Sequence, residues 1–190
     1  MGNIYNNKKN YDEALNVLNN AIDKLSRSPR LPEIMFLKGV ILSNKGDLSN
    51  AYAAFDDIVQ DYVNSIFAQK AKFELGLIEL AAKRYDNATQ YFQELATNRT
   101  DDIGAKAQYY LGETLFEQDK ITDAISAFVR VRTIFSAYDE WLTRAFLRLG
   151  DCYVKLKDNR QAKEMYRTVI SKHRGDKFGK EAQSKLRKLR

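Results

Sequence analysis

Glycine returns along this chain at positions 2, 39, 76, 112 and 150, and alanine at 14, 51, 88, 124 and 162, so every Gly leads its Ala by 12 residues. Successive glycines stand 37, 37, 36 and 38 residues apart. Two registers locked over five copies confine the chain to a repeat architecture, in which each unit buries its apolar face against the next.

Three copies read LGLIELAAKRYDNATQYFQEL, LGETLFEQDKITDAISAFVRV and LGDCYVKLKDNRQAKEMYRTV. A first helix carries Leu-Gly (Leu75-Gly76, Leu111-Gly112, Leu149-Gly150), and a short polar turn follows. A second helix then carries Ala88-Phe92-Leu95, Ala124-Phe128-Val131 or Ala162-Tyr166-Val169. Spacings of four and three put each trio on one helical face. Gly on one helix and Ala on the other allow close approach within a pair, and the aromatic residues are expected to fill the groove between one pair and the next.

Composition agrees with helix. Nine Gly and two Pro are few among 190 residues, and hydrophobic content is 44% with 29% charged. No apolar run approaches the ~18 residues of a membrane span, and the start shows no basic-then-apolar leader pattern. Cys152 is the single cysteine, which excludes an internal disulfide. From residue 172 onward eight Lys/Arg face two Asp/Glu, and this segment alone carries the formal net charge of +6. The body is neutral, so no nucleic-acid partner is expected along its length.

The order Leu-Gly … Ala … Phe/Tyr … Val resembles the tetratricopeptide repeat (TPR) and covers essentially the whole chain. The period is longer than the family's ~34 residues, with the excess of about one turn between each Ala and the next Gly. The resemblance implies an all-α, TPR-like α-solenoid of antiparallel helix pairs wound as a right-handed superhelix, with a C-terminal capping helix. A single solenoid would span 1–190, with a truncated repeat at 1–27, repeats at 31–63, 65–98, 101–135 and 137–173, and a cap at 177–190. Gly2 holds the first-helix register with the preceding turns of that helix missing, so the N-terminus is expected to be a cut through a longer array and the C-terminus a natural end. The long period, the Ala-x-aromatic-x-Leu-Gly pattern and the closing SKHRGDKFGKEAQSKLRKL also resemble bacterial cell-envelope TPR proteins, of the Tol-Pal-associated and outer-membrane assembly lipoprotein types. Those relatives place Tyr-Pro where this chain has Tyr62-Val63 and His173-Arg174. Periplasm or envelope is the location so implied, with cytoplasm as the alternative.

Helix starts are expected at Pro32, at the N-caps Ser65, Asp101 and Asp176, and at a capping box opened by Ser136. His173 is expected to be a helix-end residue and Cys152 a buried small hydrophobe. Arg174-Gly175-Asp176 reads as a turn and cap rather than an adhesion signal, and the sequons at Asn87 and Asn98 as chance matches. No phosphate loop, metal-ligand cluster or catalytic constellation is present, so no enzyme activity, cofactor or metal is expected.

Family resemblance places ligand contacts on the concave face, on side chains of the first helices at −6, −2, +1 and +5 from each Gly. Lys70, Glu74 and Leu77, then Lys106, Tyr110 and Glu113, then Arg144, Arg148 and Asp151 are the partner-binding candidates. The second repeat contributes Glu33, Leu37, Val40 and Asn44 at the same register. The cation row Lys70, Lys106, Arg144 suits an extended peptide or its carboxylate. The Lys/Asn set of the chaperone-type carboxylate clamp is absent. Phe36, Phe73 and Tyr109 at −3 are expected in the core. The function so read is a non-catalytic scaffold for a protein or peptide partner. The alternatives are a segment that self-associates or stacks through residues 1–27, and an anion-binding element at 172–190.

Overall fold

The computed structural model describes residues 10–189, and every described element is an α-helix. The expected half-helix around Met1 and Gly2 lies outside the described residues. The helices are α1 (Asn10–Lys24), α2 (Leu31–Lys45), α3 (Leu48–Asp61), α4 (Ile66–Ala81), α5 (Tyr85–Asn98), α6 (Asp102–Glu117), α7 (Ile121–Ile134), α8 (Asp139–Lys155), α9 (Asn159–Lys172) and α10 (Lys177–Arg187). They fall into two compact units, residues 1–82 and 83–190. In the first, α1 packs on α2, α2 on α3 and α3 on α4, and α2 also touches α4. In the second, α5 to α10 follow the same rule, with α6 touching α8 and α8 touching α10. Contact of each helix with its chain neighbour, and of a first-type helix with the next first-type helix, is how an α-solenoid grows.

The repeated glycine has a specific task. A Cβ placed on Gly39 would stand 2.5 Å from the Phe55 ring, and one on Gly112 2.5 Å from the Phe128 ring; Gly150 stands in the same way against Tyr166. Each ring lies 16 residues after its glycine, on the second helix of the same pair. The aromatic therefore fills the notch of its own pair, not the groove before the next pair. The reason is steric: only a residue without a side chain lets a six-membered ring lie against the helix backbone. Phe55 and Phe128 are fully buried and Tyr166 nearly so. Ala51, Ala124 and Ala162, also buried, sit one turn before these rings on the same helices.

Turns repeat as strictly as the core. Gly46, Lys83, Asp119 and Lys157, each seven residues after a repeat glycine, all adopt left-handed backbone with φ of 87°, 58°, 60° and 61°. The residue after the left-handed one starts the second helix. Where it is Asp47 or Asp158, its carboxylate accepts the N–H of Asn50 or Gln161. Ser65, Asp101 and Asp176 cap α4, α6 and α10 as expected, and Pro32 sits in the first turn of α2. The capping box at Ser136 does not form. Tyr138 precedes α8 instead, held out by packing on Phe135 and by its hydroxyl donating to the Thr100 carbonyl at 3.1 Å.

Two substitutions test these assignments. Gly112→Ala gains about 1 kcal/mol of helix propensity but collides with a ring that has no free space. Overpacking should prevail, with a net loss of about 1–2 kcal/mol, read as a fall of several degrees in Tm. Lys157→Gly relieves a left-handed strain of roughly 1–2 kcal/mol against a smaller unfolded-state entropy cost of about 0.5–1 kcal/mol. It should raise Tm, while Gly46→Ala, made at the equivalent position, should lower it.

Candidate interaction surface

The candidate side chains lie on the first-type helices. In the first unit, Lys70, Glu74 and Leu77 lie on α4, with Lys70 Nζ 5.0 Å from the centre of the Phe67 ring. Glu33, Leu37, Val40 and Asn44 lie on α2, where Leu37 is half-exposed. In the second unit, α6 provides Lys106, Tyr110 and Glu113, and α8 provides Arg144, Arg148 and Asp151. Phe73 and Tyr109 are buried as expected, and Phe36 is partly buried.

Within the second unit, the −2 and +1 positions form a ladder of opposite charges. Arg148 (−2 on α8) grips Glu113 (+1 on α6) with two parallel hydrogen bonds. Its Nε donates to Oε1 and its Nη2 donates to Oε2 at 2.6 Å. The same guanidinium donates through Nη1 to Asp151 Oδ2 at 3.3 Å and lies over the Phe116 ring at 4.6 Å. One repeat on, Lys185 of α10 donates to both oxygens of Asp151 at 2.7 and 2.8 Å, and Tyr166 donates to Asp151 Oδ1 at 2.8 Å. Burial opposes the Arg148 charge, yet the hydrogen bonds and charge of Glu113 outweigh it and hold the guanidinium protonated well above its usual range. Tyr109 and Tyr166 are raised by burial first and by their neighbouring carboxylates second, so both hydroxyls stay donors. Arg148, Glu113 and Asp151 are thus neutralised within the chain and form a rigid floor.

Above that floor lies a cation–aromatic surface. Trp141 projects between the two first-type helices, with its ring centre 5.7 Å from that of Tyr109 and 6.2 Å from that of Tyr110. Its indole N–H donates to Asp102 Oδ1 at 3.0 Å, which fixes the ring plane. Arg144 lies 5.5 Å from the ring centre and Lys106 6.0 Å. Arg144 also lies 5.6 Å from the Phe178 ring and pairs with Glu140 at 2.8 Å. Trp141 is absent from the −6, −2, +1, +5 stripe because it stands at −9. The signal was present in the sequence: the −9 register holds Phe67, Ile103 and Trp141, and Phe67 carries Lys70 as Trp141 carries Arg144.

His173 closes a different network. Its Nε2 lies 2.7 Å from Thr143 Oγ1 and its Nδ1 2.7 Å from Asp176 Oδ2. The order hydroxyl, imidazole, carboxylate has the connectivity of a nucleophile, base and orienting acid, but Thr143 is 1% exposed and no acyl group can reach it. The network joins the end of α9 to the start of α10. Asp176 also caps α10 by accepting the Gly179 N–H at 2.9 Å, so this carboxylate serves the turn, with Gly175 at φ 91°. Cys152 is fully buried, and burial pushes its thiol up to about 12, which keeps it protonated and unreactive at neutral pH. Among the described residues no acidic, His or Cys cluster could hold a metal ion, and no helix is long and apolar enough to cross a membrane.

Comparison with known proteins agrees with this geometry. The family model described as a tetratricopeptide repeat-like domain matches residues 39–190, and one described as a tetratricopeptide repeat matches residues 1–65. Among solved structures, MamA 41-end from Desulfovibrio magneticus RS-1 is similar at 23% identity and a TM-score of 0.69, over 88% of each chain. BtubC (BKLC) from P. vanneervenii is similar at 14% identity and a TM-score of 0.80, over 96% of this chain and 82% of that one. YrrB, described as a TPR protein with an unusual peptide-binding site, is similar at 18% identity and a TM-score of 0.65, over 93% and 84%. No curated protein sequence gives a significant match. The fold is one that in general mediates protein–protein interaction and typically does so without catalysis. With a family model spanning most of its length, this chain belongs to the tetratricopeptide-repeat family.

Proposed function

We propose that this chain is a non-catalytic scaffold that captures a partner's peptide segment or protein surface on its first-type helices. The observation that carries the reading is the cation–aromatic surface of the second unit: Trp141 flanked by Lys106 and Arg144, with Tyr110 alongside. Rigid aromatic rings beside cations are the usual anchors of a protein interface. Lys70, Glu74 and Leu77 on α4 are proposed contacts of the same kind in the first unit, and Glu113, Arg148 and Asp151 hold the second-unit surface in shape. The finer part of the proposal is a place in a bacterial envelope assembly, supported by the long period, the Ala-x-aromatic-x-Leu-Gly pattern and the closing segment.

A second reading has its own support. Val17 on α1 is 65% exposed and Leu37 on α2 is 49% exposed. With Ala14, Leu18 and Ile41 they line a cavity of about 370 Å³, a face suited to stacking against further repeats at the 1–27 end. Sedimentation should then show self-association that Val17→Asp abolishes; a monomer at high concentration would remove this reading.

Trp141 is the single tryptophan, so its fluorescence reports on the proposed surface alone. Peptides selected from a random display library on the immobilised chain should shift that emission. Lys106→Ala with Arg144→Ala should weaken their binding at least tenfold, about 1–2 kcal/mol, with Tm nearly unchanged. Arg148→Ala, which strands Glu113, should instead lower stability by about 1–3 kcal/mol. Peptides that bind the double variant as tightly as the parent would overturn the proposed surface.

A further inference from the structure

We infer that the outer face of α10 docks the chain on a membrane surface rich in anionic phospholipid. Lys177, Lys180, Ser184, Arg187 and Lys188 are all exposed. At 100° per residue they occupy an arc of about 100°. The opposite arc carries Phe178, Ala182, Leu186 and Leu189, which pack into the hydrophobic core of the second unit. The cationic stripe therefore runs straight along about 16 Å of helix and points away from the core of the second unit.

The cations of this stripe differ from those that join one helix of the second unit to another. Arg144, Arg148, Lys155 and Lys185 each pair with a carboxylate of the chain. Among the described residues, Lys180, Arg187 and Lys188 have no such partner, and Lys177 lies over the Phe178 ring at 4.8 Å. Glu181, at the edge of the stripe, turns toward Lys185 at 3.7 Å. A cap that served solubility alone would be met by interspersed charges of both signs. Here one sign is segregated onto one face, while the rest of the chain is neutral.

The shape of the charge favours a lipid surface over a polyanion that must be wrapped. A straight cationic stripe on one helix face meets a plane with all its cations at once. Three of the four are Lys, compact point charges, rather than Arg forks suited to bidentate phosphate recognition. The stripe carries no aromatic platform for bases, since Phe178 faces inward against His173 at 5.4 Å. Because the apolar face of α10 is already packed against the second unit, attachment is electrostatic and peripheral, without insertion. Each cation near such a surface contributes about fivefold in partitioning, and salt screens it.

The test is co-sedimentation of the full chain with vesicles of phosphatidylcholine alone or with about one third phosphatidylserine. The expected result is binding to the anionic vesicles at low salt, and none to phosphatidylcholine or in high salt. Replacing Lys177, Lys180, Arg187 and Lys188 with Gln should reduce partitioning several hundred-fold. Lys180→Gln alone should reduce it about fivefold, with folding checked by circular dichroism. Arg130→Gln with Arg132→Gln, on the exposed side of α7, should leave binding intact. No binding to anionic vesicles at low salt, equal binding to neutral ones, or full binding by the Gln variants would overturn the inference. So would tighter binding to duplex DNA or to polyglutamate than to the anionic vesicles.

Discussion

The fit of an aromatic ring against a bare stretch of helix backbone is the contact on which the rest of this structure depends. Phe55 on Gly39, Phe128 on Gly112 and Tyr166 on Gly150 set the distance between the two helices of a pair. Because the ring is planar and the notch one residue wide, the contact also fixes the relative register of the helices. Fixed register makes the left-handed turn seven residues after each glycine compulsory, even where the sequence supplies Lys83, Asp119 or Lys157 instead of glycine. Three turns thus accept backbone strain that the ring contact and the following helix jointly offset.

Much of this was legible in the sequence because repetition multiplies a weak signal. One Gly-to-Ala spacing of 12 means little; five in register determine helix order, pairing and core membership. Caps built on a single side chain, as at Ser65, Asp101 and Asp176, were equally plain. The departures come from contacts that local spacing does not encode. Ser136 carries the local signature of a cap, but Tyr138 is tied to Thr100, 38 residues away, and the helix starts later. A spacing of 16 residues does not say whether the Phe128 ring turns toward its own pair or toward the next.

The candidate surface shows the same division. Placing Lys106, Tyr110, Arg144 and Arg148 on first-type helices needed only the register. That Arg148 would join Glu113 depended on the offset between successive repeats, 35 residues apart rather than a full period. Once the offset is known, the pairing generalises: −2 on one first-type helix faces +1 on the preceding one, and Lys185 with Asp151 is the next rung. Trp141 lies outside the −6, −2, +1, +5 stripe because it stands in the first turn of α8, about one turn before Arg144.

The ladder also gives α10 its orientation. Lys185 is the one cation of that helix drawn inward, and it satisfies Asp151, which also accepts from Tyr166 and Arg148. His173, Thr143 and Asp176 tie the helix start at the other end. Two anchors, one at the cap and one two turns further on, prevent rotation about the helix axis. With rotation blocked, Lys177, Lys180, Arg187 and Lys188 must face outward together, and a sequence that is merely basic becomes a surface with a direction. The internal ladder and the outward stripe are therefore two consequences of one constraint, since each requires α10 to sit in the register of the repeats before it.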